Sequence, residues 1–255
     1  MKHFSAATVA FGIMLAAAPA TPATPAAPAT PATPAAPATP TTPAAPAAPA
    51  APAAPATATT TCPPDPTPGS TVSGNLIVQP DAICDLFGVT VTGNVQVQTN
   101  AFLSVNADST GTGTTIDGNL HVGAGATLAS ATTPRTMTVD GNIEADQCNN
   151  VDIEGDKVAG NVDIQNCFTG LGFSQILVGH TEIAGNFNCS NNSVDCILSL
   201  SSVKGNVQIN NNQSEAVVYL NTIDGNLLCQ GNALGVQGAK TNNIAGLKRG
   251  QCVNF

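Results

Sequence analysis

From residue 70 onward, apolar and polar positions alternate in short runs, and the runs return at nearly constant intervals. Each run opens on Val or Ile, passes a variable residue, Gly and Asn, and resumes with an apolar residue. The copies are VSGNL (72–76), VTGNV (91–95), IDGNL (116–120), VDGNI (139–143), VAGNV (158–162), IAGNF (183–187), VKGNV (203–207) and IDGNL (223–227). Their spacings are 19, 25, 23, 19, 25, 20 and 20 residues, and a broken copy, IAGL, starts 21 residues later at Ile244. Two residues beyond each copy's first apolar position after Asn stand Val78, Val97, Val122, Ala145, Ile164, Cys189, Ile209 and Cys229. Alternation of this kind predicts half-buried β-strands. Repetition near twenty residues predicts a solenoid, in which a unit buries its apolar face only against its neighbours.

Gly-Asn interrupts the alternation where the chain has to turn. Gly tolerates positive φ, and Asn tolerates left-handed geometry while bonding nearby backbone. Asn75, Asn94, Asn119, Asn142, Asn161, Asn186, Asn206 and Asn226 are therefore read as structural turn residues, stacked as an inward amide ladder. On that reading Asn75, with one neighbouring rung, matters less to stability than Asn161. Leucine-rich spacing is missing, and Gly-, Asn- and Thr-rich rungs exclude helical repeats. What remains is an all-β fold, a parallel β-helix of about nine rungs between residues 70 and 252. It would stand about 40 Å tall at roughly 4.8 Å per rung, right-handed as parallel crossovers are.

Outside the repeat the composition changes. Residues 1–20 start with Met1-Lys2-His3, continue through an apolar run and end on small residues, the pattern of a secretory signal peptide. Residues 21–61 are almost wholly Ala, Pro and Thr, a disordered polyproline-type spacer that would hold the 62–255 domain away from a surface. No later stretch is apolar for long enough to insert in a membrane. Eight cysteines, an even number in a chain read as exported, point to disulfides. Cys148 and Cys167 each stand six residues after a rung's Asn and share a column on adjacent rungs, within bridging range. Cys189 and Cys229 share a column two rungs apart, too far to join, so Cys189–Cys196, Cys229–Cys252 and Cys62–Cys84 are the expected local pairs.

The stretch GNLLCQGNALGVQGAKTNNIAGLKRGQC (225–252) resembles the closing rungs of secreted bacterial Gly-Asn-repeat proteins, and the Gly-Asn rungs more loosely resemble bactofilin-type and haemagglutinin-like β-helices. The resemblance covers residues 70–252. It implies a β-helical fold and a cell-surface setting, and it implies no catalytic residues.

Charge and chemistry narrow the function. Seven Lys plus Arg stand against sixteen Asp plus Glu, a net charge of −9, with no basic cluster to neutralise phosphates. Nucleic acid and anionic membrane surfaces are excluded as partners, and no cofactor is expected. A Ca²⁺-dependent polysaccharide lyase needs grouped carboxylates beside a base. Asp117 and Asp140 stack on adjacent rungs as weak Ca²⁺ candidates, with Asp224 recurring later, while Arg135, Arg249, Lys157, Lys204, Lys240 and Lys248 are scattered. His180 reads as a turn residue and His121 as an outward strand residue. No nucleophile–base–orienter set is present, so catalysis is not expected. A third reading is a flat outward face: Thr71, Thr90, Thr115 and Thr138 precede the first four rungs, before Lys157 and Glu182 break the column and Ser202 and Thr222 resume it. Such an array suits carbohydrate or ice, although Thr also simply suits exposed strands. Asn188, Asn191 and Asn212 lie in Asn-x-Ser sequons and are candidate glycosylation sites in a host that N-glycosylates. The leading expectation is a secreted or cell-surface structural or adhesive protein whose partner is cell-wall or extracellular polysaccharide.

Overall fold

The computed structural model describes residues 58–130, 136–170, 174–238 and 242–254. The expected signal peptide (1–20), the spacer through residue 57, Arg135 and Lys240 lie outside the described residues. Among those described, every regular element is a strand, so there is no helix long and apolar enough to cross a membrane.

The strands form three parallel sheets wound as a solenoid of nine turns. The first sheet has nine short strands, from Thr71–Val72 to Asn243–Ile244. The second has ten, from Thr59–Cys62 to Lys248–Gly250, and the third has eight, from Ile83–Phe87 to Val236–Gln237. Each Gly-Asn pair is the corner from the first sheet to the second. A middle corner leads to the third sheet, and a return corner leads to the first sheet of the next turn.

The alternation foreseen from sequence sets the register. Leu76, Val95, Leu120, Ile143, Val162, Phe187, Val207 and Leu227 pair turn over turn and are fully buried. The column two residues on, from Val78 to Cys229, is buried in the same way. A single apolar core runs from Cys62 to Cys252. A one-residue slip would turn both columns outward, so register is held by burial along the whole stack.

One boundary moves. Thr59–Cys62, assigned to the spacer up to Thr61, is a strand in register with Asn75–Val78. The proline run ends at Pro55, so the next residues regain the amide donors that a sheet edge needs, and threonine suits a strand. All eight cysteines are paired: Cys62–Cys84, Cys148–Cys167, Cys189–Cys196 and Cys229–Cys252, with Cα separations of 5.8, 4.4, 6.7 and 5.4 Å. Ile209 lies between Cys189 and Cys229 in their shared column, which keeps those two apart.

The Gly-Asn corner works differently from the turn chemistry expected of it. Of the eight motif glycines only Gly74 has a positive φ, and none of the eight asparagines does. The reason for glycine is closeness between turns. A Cβ on Gly185 would stand 2.5 Å from both the Gly160 carbonyl oxygen and Asn161 Oδ1, nearer than real Cβ atoms come. The left-handed residues occupy the other corners instead: Asp81, Asn100, Gln147, Asn166, Asn191 and Asn211 in the middle corner, and His180, Leu200 and Leu220 in the return corner.

Candidate functional surfaces

The corners consume much of the chain's polar chemistry. Along the Gly-Asn corner each Asn backbone N–H donates to Oδ1 of the Asn one turn earlier, from Asn94 to Asn75 (2.9 Å) through to Asn226 and Asn206 (2.9 Å). The side-chain Nδ2 donates to the same oxygen, at 3.0 Å for Asn186 to Asn161. All eight asparagines are half-buried rather than fully inward. Below, Asn75 N–H donates to the Ala58 carbonyl, and above, Leu247 N–H closes the ladder on Asn226 Oδ1 (2.8 Å).

Two further ladders escaped the sequence reading. In the middle corner, Asn192, Asn212 and Asn232 continue the column of Cys148 and Cys167, and Asn192 and Asn212 are fully buried. Cys167 N–H donates to Asn192 Oδ1 (2.8 Å), Asn192 to Asn212 (3.1 Å), Asn212 to Asn232 (3.1 Å), and Asn232 to Gln251 Oε1 (2.9 Å). In the return corner, Thr181 N–H donates to Ser201 Oγ (3.1 Å), Ser201 to Asn221 Oδ1 (2.9 Å), and Asn221 to Asn242 Oδ1 (2.9 Å). The signal was present: these residues recur at intervals of about twenty, and Asn192, Asn212 and Asn232 stand six residues after a motif Asn, as the two cysteines do.

This placement settles what Asn212 can be. Its Nδ2 donates to the Cys189 carbonyl (3.1 Å) and to Asn232 Oδ1 (3.0 Å) inside the corner, so it is a ladder member and not a glycan acceptor in the folded chain. Asn188 is half-buried, with Nδ2 donating to Asp163 Oδ1 (2.7 Å) and Ser190 Oγ (3.2 Å). Asn191 is exposed on the middle corner.

Asp117 and Asp140 are exposed on adjacent turns of the first sheet's edge, and no third ligand-bearing side chain joins them among the described residues. Among the described residues the only such grouping is Cys62, Asp65 and Cys84, where both sulfurs are spent in a disulfide. Asp224 faces Lys204, with Nζ to Oδ2 at 3.1 Å. His121 points outward, 3.9 Å from Glu144 Oε2, and His180 sits at positive φ in the return corner.

Two carboxyls, the buried Asp156 and the half-buried Asp152, are perturbed upward. Asp156 is in the return-corner column and 1% exposed; its Oδ1 accepts from Met137 N–H (2.8 Å) and Thr136 Oγ1 (3.1 Å), and its buried Oδ2 has no hydrogen-bond partner among the described residues. Burial pushes its pKa up to about 6, against the pull of Ser130, Met137 N–H and Thr136. Asp152, outward on the third sheet, is likewise raised to about 6, by burial and then by the neighbouring Glu154 charge. The opposite case is the exposed Asp108, held below the usual range by hydrogen bonds from the Thr110 hydroxyl and the Thr112 N–H.

The outward faces carry what the corners leave. Thr71, Thr90, Thr115 and Thr138 pair directly turn over turn, and Lys157, Glu182, Ser202 and Thr222 continue the column. A groove of about 390 Å³ opens there between Lys157, Glu182 and Lys204, over Ala184. On the second sheet a groove of about 280 Å³ runs along the Gly-Asn corner, with Asn142, Asn161 and Asn186 on one wall and Glu144, Asp163 and Asn188 on the other.

Taken together, these features define a disulfide-closed parallel β-solenoid with a polar ladder in each corner. No family model, curated protein or solved structure matches the chain.

Proposed function

We propose that this chain is an exported, non-catalytic scaffold that holds flat polar faces at a cell surface and engages cell-wall or extracellular polysaccharide. The observation that carries the reading is the second-sheet groove. Carboxamides of the Gly-Asn ladder line one wall and the acceptors Glu144 and Asp163 the other, repeated at the turn spacing. A sugar chain offers hydroxyls that both donate and accept along its length, and it matches such a groove without needing an aromatic platform. The full pairing of eight cysteines supports an oxidising compartment, as does the resemblance of residues 225–252 to secreted Gly-Asn-repeat proteins. Binding of isolated surface polysaccharide to the chain tests the proposal: Glu144→Ala with Asp163→Ala should weaken it at least tenfold, and unchanged binding would refute this site. Ca²⁺-dependent release of unsaturated sugars would overturn the non-catalytic reading.

A second reading is favoured by the unbroken pairing of Thr71, Thr90, Thr115 and Thr138. On it the first sheet meets carbohydrate or ice. Glycan binding or thermal hysteresis would then vanish in Thr90→Lys with Thr115→Lys and survive the Glu144/Asp163 pair.

A further inference from the structure

Between Gln175 and Tyr219 the third sheet turns apolar side chains outward beside a strained corner, whereas its outward Ile83, Phe87 and Phe102 lie on its first two strands, beside the unstrained Gly88. Leu177, Ile197 and Val217 pair on consecutive turns in an outward, half-buried stripe. Beside it, on the return corner, stand Leu200 and Leu220, 41% and 49% exposed, with φ of 52° and 57°. Left-handed geometry costs an ordinary L-residue energy and is tolerated by Gly, Asn and Asp. The chain follows that preference at Gly88 and Gly155 in the same corner, and at Asp81, Asn100, Asn166, Asn191 and Asn211 in the middle corner. A leucine with its side chain in water serves the fold badly on both counts. Strain coupled to an exposed apolar surface marks a contact made with something else.

Charge identifies the kind of partner. Asp152 pairs with Leu177 on the adjoining turn, Glu154 and Asp195 lie on the strands of the patch or next to it, Glu215 stands at its edge, and the third-sheet strands carry no Lys or Arg. A second copy would bring acid against acid in a chain of net charge −9, and an anionic membrane would be repelled. An apolar patch rimmed by carboxylates suits an apolar segment flanked by cations. Apolar residues one helical turn apart recur at about 5 Å, close to the roughly 4.8 Å between turns here.

We propose that Leu177, Ile197, Val217, Leu200 and Leu220 form a docking surface for a short cationic amphipathic segment of another protein. The proposal goes beyond the polysaccharide reading and does not depend on it, because it uses a different face.

The test titrates the full chain against a dye-labelled 18-residue amphipathic Leu/Lys peptide and its Leu/Glu counterpart, read by fluorescence anisotropy. The Leu/Lys peptide binds with a Kd on the order of ten micromolar, as a small patch allows, and the Leu/Glu peptide does not. Leu200→Asn with Leu220→Asn lowers affinity at least tenfold while the melting midpoint holds or rises, since Asn suits the left-handed corner. Ile197→Thr with Val217→Thr gives a comparable loss from the sheet side, and Glu215→Gln weakens binding a few-fold at low salt. Unchanged binding in both leucine and sheet variants would show that net charge alone holds the peptide and would overturn the proposal. So would a lowered midpoint in Leu200→Asn with Leu220→Asn, which would make these leucines parts of the fold. Self-association of the chain that the leucine variants abolish would assign the face to a second copy and overturn it as well.

Discussion

Replacing Asn161 with Leu removes the acceptor for two donors at once, Asn186 N–H at 2.8 Å and Asn186 Nδ2 at 3.0 Å. It also ends the Asn161 Nδ2 contact to Asn142 Oδ1 at 3.3 Å, although Asn142 keeps the Asn161 N–H at 2.8 Å. The backbone N–H is the larger loss, because it is held in the part-buried corner where Gly185 packs closely on Gly160. An orphaned buried donor costs about 1–3 kcal/mol, and the half-exposed side-chain amide adds about 0.5–1 kcal/mol, giving roughly 2–4 kcal/mol in all. Asn226 is the natural control: among the described residues its Oδ1 accepts only the exposed Leu247 N–H, so Asn226→Leu should cost about 1 kcal/mol. Asn75→Leu is not the mild change that its place near the end of the stack suggests. The ladder is directional, and Asn75 Oδ1 carries both Asn94 donors just as a mid-stack residue does. Urea unfolding at pH 7, followed by far-UV circular dichroism with the disulfides intact, reads the difference. With a slope of about 2 kcal/mol/M, Asn161→Leu should lower the midpoint by about 1–2 M and Asn226→Leu by about 0.5 M. An Asn226→Leu shift equal to the Asn161→Leu shift, or an Asn161→Leu shift under about 0.3 M, would refute the ladder as a source of stability.

Other outcomes follow from the same geometry. Gly185→Ala should cost at least about 2 kcal/mol in the same urea assay through backbone overlap, whereas Gly111→Ala, with open space but a φ of +83°, should cost about 1 kcal/mol through strain alone. Asp156 has a folded pKa raised above its unfolded value, so the native state holds the extra proton between about pH 4 and pH 6. Stability is therefore greatest below that window and falls by up to about 3 kcal/mol as pH rises through it. Asp156→Asn should flatten this part of the pH–stability curve, and an unchanged slope would contradict it. A chain starting at Ala58 should melt with the full chain. One starting at Asp65 loses the Thr59–Cys62 strand and the Cys62–Cys84 bridge and should melt roughly 6 to 12 °C lower by calorimetry.

Much of this fold is legible in residues that repeat. Strand alternation, turn count and the Cys148–Cys167 column could be read because burial imposes a period of two within a turn and about twenty between turns. The role of the motif glycine was not legible. A glycine chosen for positive φ and one chosen for close approach look alike in sequence, and only the distance from Gly185 to Gly160 tells them apart. The middle-corner ladder was hidden by chemistry that changes within one column, where Ala101 and Ala126 give way to Cys148 and Cys167 and then to Asn192 and Asn212. Leu200 and Leu220 were invisible for a related reason, since a leucine in an alternating segment is read as core. Their exposure depends on a left-handed backbone that sequence does not announce.

The Gly-Asn ladder also sets how this molecule can lengthen. Its last oxygen, on Asn226, is met by Leu247, whose side chain offers no acceptor to a further turn, and its first link rests on the Ala58 carbonyl rather than on another amide. Growth by adding turns at either tip would therefore break the polar chain. An internal turn such as residues 183–202 both receives a link and passes one on, so copying it in place would raise the column by one turn with every amide still engaged. Such a protein is extendable from the middle and fixed at its ends, and related chains of different height should differ by whole internal turns between conserved first and last rungs.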